Sequence, residues 1–349
     1  CLLMPLFRIT GGLILAVAAA IFVSVMHLRV IVSSVSTPLE FELLIIGVLA
    51  GVYVLLSYMG DQRDQKKMAR LLSKFVPEEL SDQYQRNPEG LALSVEERQI
   101  SVLFCDVRDF SGVTQTLDST QLVKWLNLYF AFVSKVVVRH RGSIDKYMGD
   151  SVMAVWGAPH KSLTHAYDAL SAALDIQKEI VELNEQYQAA ALPQIAMGIG
   201  IGTGPAMVGP LGSEYRMDYT VIGDTVNVAQ RLEDQTRKYK VPVIVGDKTF
   251  EVLPDILFRE LDTVTVKGRE QAVTMYQPLC PIADASDAML EHLEMHERAM
   301  AASVAGQWQE ASRLFTELRK VWGPADMYDL YLRGINQVLE QNKQPSRAR

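Results

Sequence analysis

Two uncharged apolar runs, residues 9–26 and 43–59, set the first limit on what this chain can fold into. At 18 and 17 residues, each comes close to the roughly 20 that cross a hydrocarbon core as a helix. Neither shows the polar face of a soluble amphipathic helix. Both read as transmembrane helices, and the pair excludes a cleaved signal peptide. Arg63, Lys66, Lys67, Arg70 and Lys74 follow the second run, whereas the segment between the runs offers only His27 and Arg29 against Glu40 and Glu42. This asymmetry predicts a multi-pass protein of the inner (plasma) membrane with the bulk of the chain in the cytoplasm. Residues 61–98 turn polar, with Met68, Leu72 and Phe75 at helical spacing. They read as a short helical linker punctuated by Pro77 and Asn87-Pro88. Position 1 is Cys rather than Met, so the sequence is expected to continue upstream.

Charge narrows the partners. Against 41 acidic residues stand 34 Lys and Arg, a formal net charge of -7 with no long basic run, which argues against nucleic acid. A compact anion held by a few placed cations stays open. Cys1, Cys105 and Cys280 are too few for a disulfide framework and too scattered for a metal-ligand spacing.

The chemistry lies further on. From Ile100 the run ISVLFCD reads as a strand buried on both faces that ends in Asp106. Asp118-Ser119 then cap a helix whose Leu122, Trp125, Leu126, Tyr129, Phe132, Val133 and Val136 share an apolar face, with Arg139 to Gly142 closing it. SIDKYMGDSVMAVW reads as two strands joined by the tight turn Gly149-Asp150. A Gly-Asp turn or a strand-ending Asp is, taken singly, most often only structural. Together Asp106 and Asp150 meet the need of phosphoryl chemistry for two carboxylates bridging two divalent ions. A helix over about 163–188 follows, then the Gly-rich strand IAMGIGIGTG, then DYTVIGDTVNVAQRLE. There Asp224 can cap a helix that puts Asn227 and Arg231 on one face, an amide and a guanidinium able to grip one phosphate. Lys267 in VTVKGRE sits at a strand-to-turn position suited to a point contact with phosphate.

LFCDVRDFSG, DKYMGDSVMAVWGAP and DYTVIGDTVNVAQRLE, in that order and spacing, resemble the class III nucleotidyl cyclase catalytic domain of the bacterial membrane-bound adenylate cyclase type, over about 99–280. The resemblance implies a ferredoxin-like α+β domain related to polymerase palms. It implies two Mg2+ or Mn2+ ions on Asp106 and Asp150, with the Val107 carbonyl as a further ligand. Phe110-Ser111-Gly112 would cradle the triphosphate by their amides. Lys146 would meet the purine N1 edge, Thr220 the adenine amino group, Asn227 and Arg231 the ribose and the transition-state charge, and Lys267 the triphosphate. A Lys ammonium only donates, adenine N1 accepts and guanine N1 carries a hydrogen, so Lys146 favours ATP over GTP. Two departures stand out: Thr220 replaces the Asp of mammalian-like members, and Gly198 falls where some members carry an Arg for the β-phosphate.

The implied reaction is in-line attack of the ribose 3'-oxygen on the α-phosphate, giving cyclic AMP and pyrophosphate. The implied assembly is a head-to-tail homodimer in which one chain supplies the metal-binding carboxylates and the other supplies Lys146, Thr220, Asn227 and Arg231. Two spans and a short helical linker also resemble receptor cyclases with an upstream sensor of the CHASE type. The alternatives are a guanylate cyclase, which Lys146 disfavours, and a catalytically silent nucleotide-binding module, which the retained carboxylates disfavour. A diguanylate cyclase would need a Gly-Gly-acid-Glu-Phe turn where this chain has YMGDSV. Residues 281–349 read as a helical tail in which Trp308, Ala311, Phe315 and Pro324 follow the order of a tetratricopeptide helix pair. Docking on the cyclase domain and binding a protein partner are both open to it.

Overall fold

A strand apolar on both faces has to be covered on both, and β1 (Glu96–Val107) lies inside the sheet with every residue from Ile100 to Cys105 buried. The structure, a computed structural model, describes residues 95–213, 215, 217–265, 272–322 and 325–343, together with position 21. The expected spans at 9–26 and 43–59 (position 21 apart), the linker up to residue 94, Lys267 and Pro324 lie outside the described residues. Residues 92–349 form one compact unit.

In that unit β1 leads through α1 (Phe110–Thr116) and α2 (Ser119–Arg139) to the hairpin of β2 (Ser143–Met148) and β3 (Ser151–Trp156). Next come α3 (His165–Ala189), β4 (Met197–Gly212), β5 (Met217–Ile222) and α4 (Asp224–Tyr239). Then β6 (Val243–Gly246), the short α5 (Asp247–Glu251), β7 (Ile256–Thr265) and β8 (Ala272–Pro281) complete the sheet. Its order is β2-β3-β1-β4-β6-β8-β7, with β5 paired to β4 and only β4 and β6 parallel. The antiparallel quartet β2-β3-β1-β4, with its two helices, is the ferredoxin-like α+β arrangement the motifs imply. β1 begins at Glu96, so residues 96–98, assigned above to the linker, pair instead with Ala206, Met207 and Val208 of β4.

Local sequence explains the elements that carry the site. Asp118 accepts from the Thr120 and Gln121 amides, both at 2.8 Å, while Gln121 accepts from the Asp118 amide, a capping box that starts α2. Among the described residues α2 is the one helix long and apolar enough to cross a bilayer. Trp125, Tyr129, Val133, Val136 and Val137 bury it in the protein core instead. At its end the left-handed residue is Arg141 (φ 62°), whereas Gly142 is required for space: a Cβ there would lie 2.4 Å from the Trp156 ring. α4 has Gly223 as its N-cap, so Asp224 is the first helical residue rather than the cap.

β4 alternates two kinds of face. Met197, Ile199 and Ile201 join the core with α2 and α3. Gly198, Gly200 and Gly202 face α4, and a Cβ on Gly200 would lie 2.2 Å from the Glu233 amide nitrogen and 2.3 Å from the Ala229 carbonyl. The helix thus sits directly on strand backbone.

The tail continues the same domain. Helices α6 (Asp287–Val304), α7 (Trp308–Val321) and α8 (Ala325–Lys343) share a core with Leu232 and Tyr239 of α4, Leu261 of β7 and Met275 of β8. Buried Arg259 of β7 donates to Gln277 at 2.5 Å and to the Tyr328 hydroxyl at 3.3 Å, and stacks 4.4 Å from the Trp322 ring. His296 contacts the Glu260 carbonyl at 2.7 Å, and burial pushes its imidazole down to about 4. Because Phe315, 1% exposed, joins these layers, Phe315→Ala should cost about 3–5 kcal/mol by urea unfolding of the full chain. The loss should appear in the transition of the sheet itself; a separate, earlier transition of the tail would contradict shared packing.

Candidate active site

Asp106 and Asp150 meet because of strand register. β1 pairs with β3 through Cys105↔Val152, and continuing by two residues carries Asp106 and Val107 alongside Ser151 and Asp150. Gly149 takes φ 66° in the turn, a left-handed value that glycine adopts without strain. The two carboxyls come within hydrogen-bonding reach, and burial followed by the Asp150 charge raises Asp106 to about 6. Arg237 works against that rise: its guanidinium donates to Asp106 Oδ2 at 2.7 Å and to the Val107 carbonyl at 3.2 Å. One cationic group therefore already engages both of the oxygens that were expected to ligate metal along with Asp150. Crowded carboxylates with an adjacent carbonyl are a donor set suited to hard divalent cations, so the residues fit Mg2+ or Mn2+. A metal held by Asp106 and the Val107 carbonyl would compete with Arg237 for these groups.

Glu233 lies behind this seat on α4, 5% exposed, with one carboxylate oxygen lacking a hydrogen-bond partner among the described residues. Burial first, then the charges of Asp106 and Asp234, raise it to about 8, against the pull of Arg237 and Arg108. It also explains Gly198: a Cβ there would meet Thr236 Oγ1 at 2.1 Å and Glu233 Oε1 at 3.0 Å, so an Arg would meet both unless they moved. The cation beside Asp106 is Arg237 instead, carried by the helix.

The expected phosphate cradle differs in form. Phe110-Ser111-Gly112 is the first turn of α1 rather than an open loop, and the Gly112 amide donates to the Asp109 carbonyl at 3.0 Å. Asp109 takes the left-handed conformation (φ 56°) that starts this turn, and Phe110 stacks on Trp125 at 6.2 Å.

A second group gathers around Asp145. Thr220, buried on β5, donates its hydroxyl hydrogen to Asp145 Oδ2 at 2.9 Å, and Lys146 Nζ lies 3.2 Å from the same oxygen. Burial raises the Asp145 carboxyl, while Lys146 and Thr220 oppose that rise. Asn227 is exposed on α4 and Arg231 half-buried one turn further on, as their spacing predicted.

Sequence reasoning missed Asp145, Glu233 and Arg237. Strand periodicity puts Asp145 and Lys146 on opposite faces, and Arg237 is off the Asn227–Arg231 face of its helix. The alternating glycines of β4 were a usable sign that a backbone element approaches closely and that residues such as Glu233 face it.

The family described as adenylate and guanylate cyclase catalytic domain matches residues 94–278. The chain belongs to that cyclase family. It is 35% identical over 181 residues to adenylate cyclase 1 of Rhizobium meliloti (strain 1021), covering 52% of this chain and 27% of that protein's length. The crystal structure of the adenylyl cyclase CyaB from P. aeruginosa matches with 30% identity and a TM-score of 0.51, over 56% of this chain and all of that one. The guanylyl cyclase Cya2 matches with the same identity and TM-score, over 56% of this chain and 98% of its own. Overall likeness to these cyclase structures therefore leaves the choice of base to individual side chains.

Glu233 yields a pH test of this electrostatic arrangement. A carboxyl raised in the fold favours folding while protonated, and that contribution falls as pH climbs from its ordinary 4.5 through about 8. Glu233→Gln should therefore gain thermal stability over the parent chain as pH rises from 5 to 8.5. Melting curves without divalent metal check this, and a constant offset across that range would contradict the raised value.

Proposed function

We propose that this chain is a membrane-anchored adenylate cyclase that converts ATP to cyclic AMP and pyrophosphate. The observation that carries the reading is the convergence of Asp106, the Val107 carbonyl and Asp150 at the ends of β1 and the β2-β3 turn. These groups would hold two divalent ions, which when bound supply positive charge to the ribose 3'-oxygen and the phosphates. Of the Phe110-Ser111-Gly112 cradle, the Phe110 and Ser111 amides are proposed to meet the triphosphate, since the Gly112 amide is given to the Asp109 carbonyl. Asn227 orients the ribose and Arg231 meets the charge that develops on the α-phosphate. Lys146 donates to adenine N1, and Thr220 accepts from the amino group. Lys267 is proposed as a further contact to the triphosphate.

Membrane anchoring rests on the apolar runs at 9–26 and 43–59 and on the basic residues that follow them. A homodimer is proposed because the site residues separate into two groups, one around Asp106 and one around Asp145. Exposed Tyr147, Met148, Met207, Met217 and Ile222 on β2, β4 and β5 supply apolar surface for a second copy to cover. The likeness to Cya2 favours guanylate cyclase as the second reading, and Lys146 argues against it because guanine N1 has no lone pair to offer.

Asp106→Asn or Asp150→Asn in the detergent-solubilised full chain should lower cyclic AMP formation from ATP and Mn2+ by at least about a hundredfold, with folding retained. Near-parental turnover by either variant would remove the metal assignment. A shared site makes a second prediction. Co-expressed Asp106→Asn and Arg231→Ala chains, each nearly inactive alone, should recover about a quarter of parental activity, since half the dimers would hold one intact site of two. Demonstrated heterodimers without recovery would point to a site within one chain.

A further inference from the structure

Asp145 sits at an irregularity that strand periodicity does not foresee. In the β2-β3 ladder Ile144 pairs with Ala154 and Lys146 with Met153, so Asp145 is the extra residue of a bulge. A bulge re-aims side chains, and here it lets neighbouring residues that would point to opposite faces meet 3.2 Å apart. The Asp145 side chain is 5% exposed and accepts from Thr220 of β5, whereas Lys146 keeps 41% of its side chain exposed. A buried carboxylate thus holds both residues proposed to read the base.

We infer that Asp145 sets the hydrogen-bond polarity of the base-reading pair. The inference rests on the proposed role of Lys146 and Thr220 and goes beyond it, because threonine alone does not choose between adenine and guanine. Its hydroxyl has one hydrogen and can donate or accept. With that hydrogen given to Asp145, only lone pairs remain for a ligand. A hydroxyl so restricted accepts from the amino group of adenine and repels the O6 of guanine, which also only accepts. Lys146, tethered at one of its three hydrogens, presents the others as donors, suited to adenine N1 and opposed by the N1–H of guanine. Asp145 acts through its neighbours and is a positioning residue. It fixes as an acceptor a hydroxyl that by itself could donate or accept.

The test compares ATP with inosine triphosphate, which carries the O6 and N1–H of guanine without its 2-amino group, using the full chain with Mn2+. Removing Asp145 frees the Thr220 hydrogen to donate to O6 and releases Lys146. Asp145→Ala should raise KM for ATP about tenfold with kcat changed less than about threefold, and lower the preference for ATP over inosine triphosphate about tenfold. Thr220→Val should then add less than about twofold to the lost preference, although in the parent chain it costs more, as expected of two residues acting as one unit. Where Asp145→Ala disturbs folding, Asp145→Asn keeps the shape of the bulge, and loss of the charge should still raise KM for ATP at least about fivefold. Lys146→Glu serves as the control. If it leaves ATP kinetics unchanged, the base-reading site itself is misplaced. If it cripples ATP turnover while the folded Asp145 variant keeps the parental KM and preference, the inference about Asp145 alone is overturned.

Discussion

The architecture depends on direct contact between α4 and the glycine face of β4. Side chains usually keep a helix well clear of a sheet, but Gly198, Gly200 and Gly202 let Ala229 and Glu233 approach the strand backbone. Any Cβ at these positions would lie under 3 Å from an atom of the helix. That proximity aligns Asn227 and Arg231 at one end of α4 and brings Arg237 to Asp106 at the other. It also means that an arginine at position 198 would meet Thr236 and Glu233 unless they moved, and the cation beside Asp106 is carried by the helix as Arg237.

The same contact creates an electrostatic imbalance. Asp106, Asp150 and buried Glu233 bring three carboxyls towards one end of the sheet, and two of them are raised to about 6 and about 8. Burial first, and the neighbouring carboxylates second, disfavour ionisation of these groups, and the charge they carry when ionised attracts a cation. Arg237 answers part of that charge within the chain. It shares its oxygen partners with the proposed metal, which links metal binding to the position of α4.

The far end of α4 belongs to the tail. Leu232 and Tyr239 pack in one core with Phe315, Tyr328 and the β7-β8 hairpin, and Tyr239 donates to Asp262 at 2.5 Å. A helix bearing candidate catalytic residues is thereby clamped between sheet and tail. The tail thus packs directly against the helix that carries Asn227 and Arg231.

Much of this was legible from residues alone. Apolar runs, caps and turn chemistry are local, so β1, α2, the Gly149-Asp150 hairpin and the helical face of Asn227 and Arg231 could be read directly. The pairing of Asp106 with Asp150 was read from one ending a strand and the other lying in a hairpin turn, in an order that resembles the family's. Whatever depends on contacts between distant segments escaped: the Arg237 bridge to Asp106, the Glu233 carboxyl under Gly198, the tail's docking on Arg259, and the bulge that turns Asp145 towards Thr220. The amino-acid sequence by itself determined which segments become strands and helices and which chemical groups they carry, because those choices are made within a few residues. Only the tertiary structure decided which groups meet and what charge each one feels, because register, glycine-mediated approach and burial arise when elements far apart in the chain pack together.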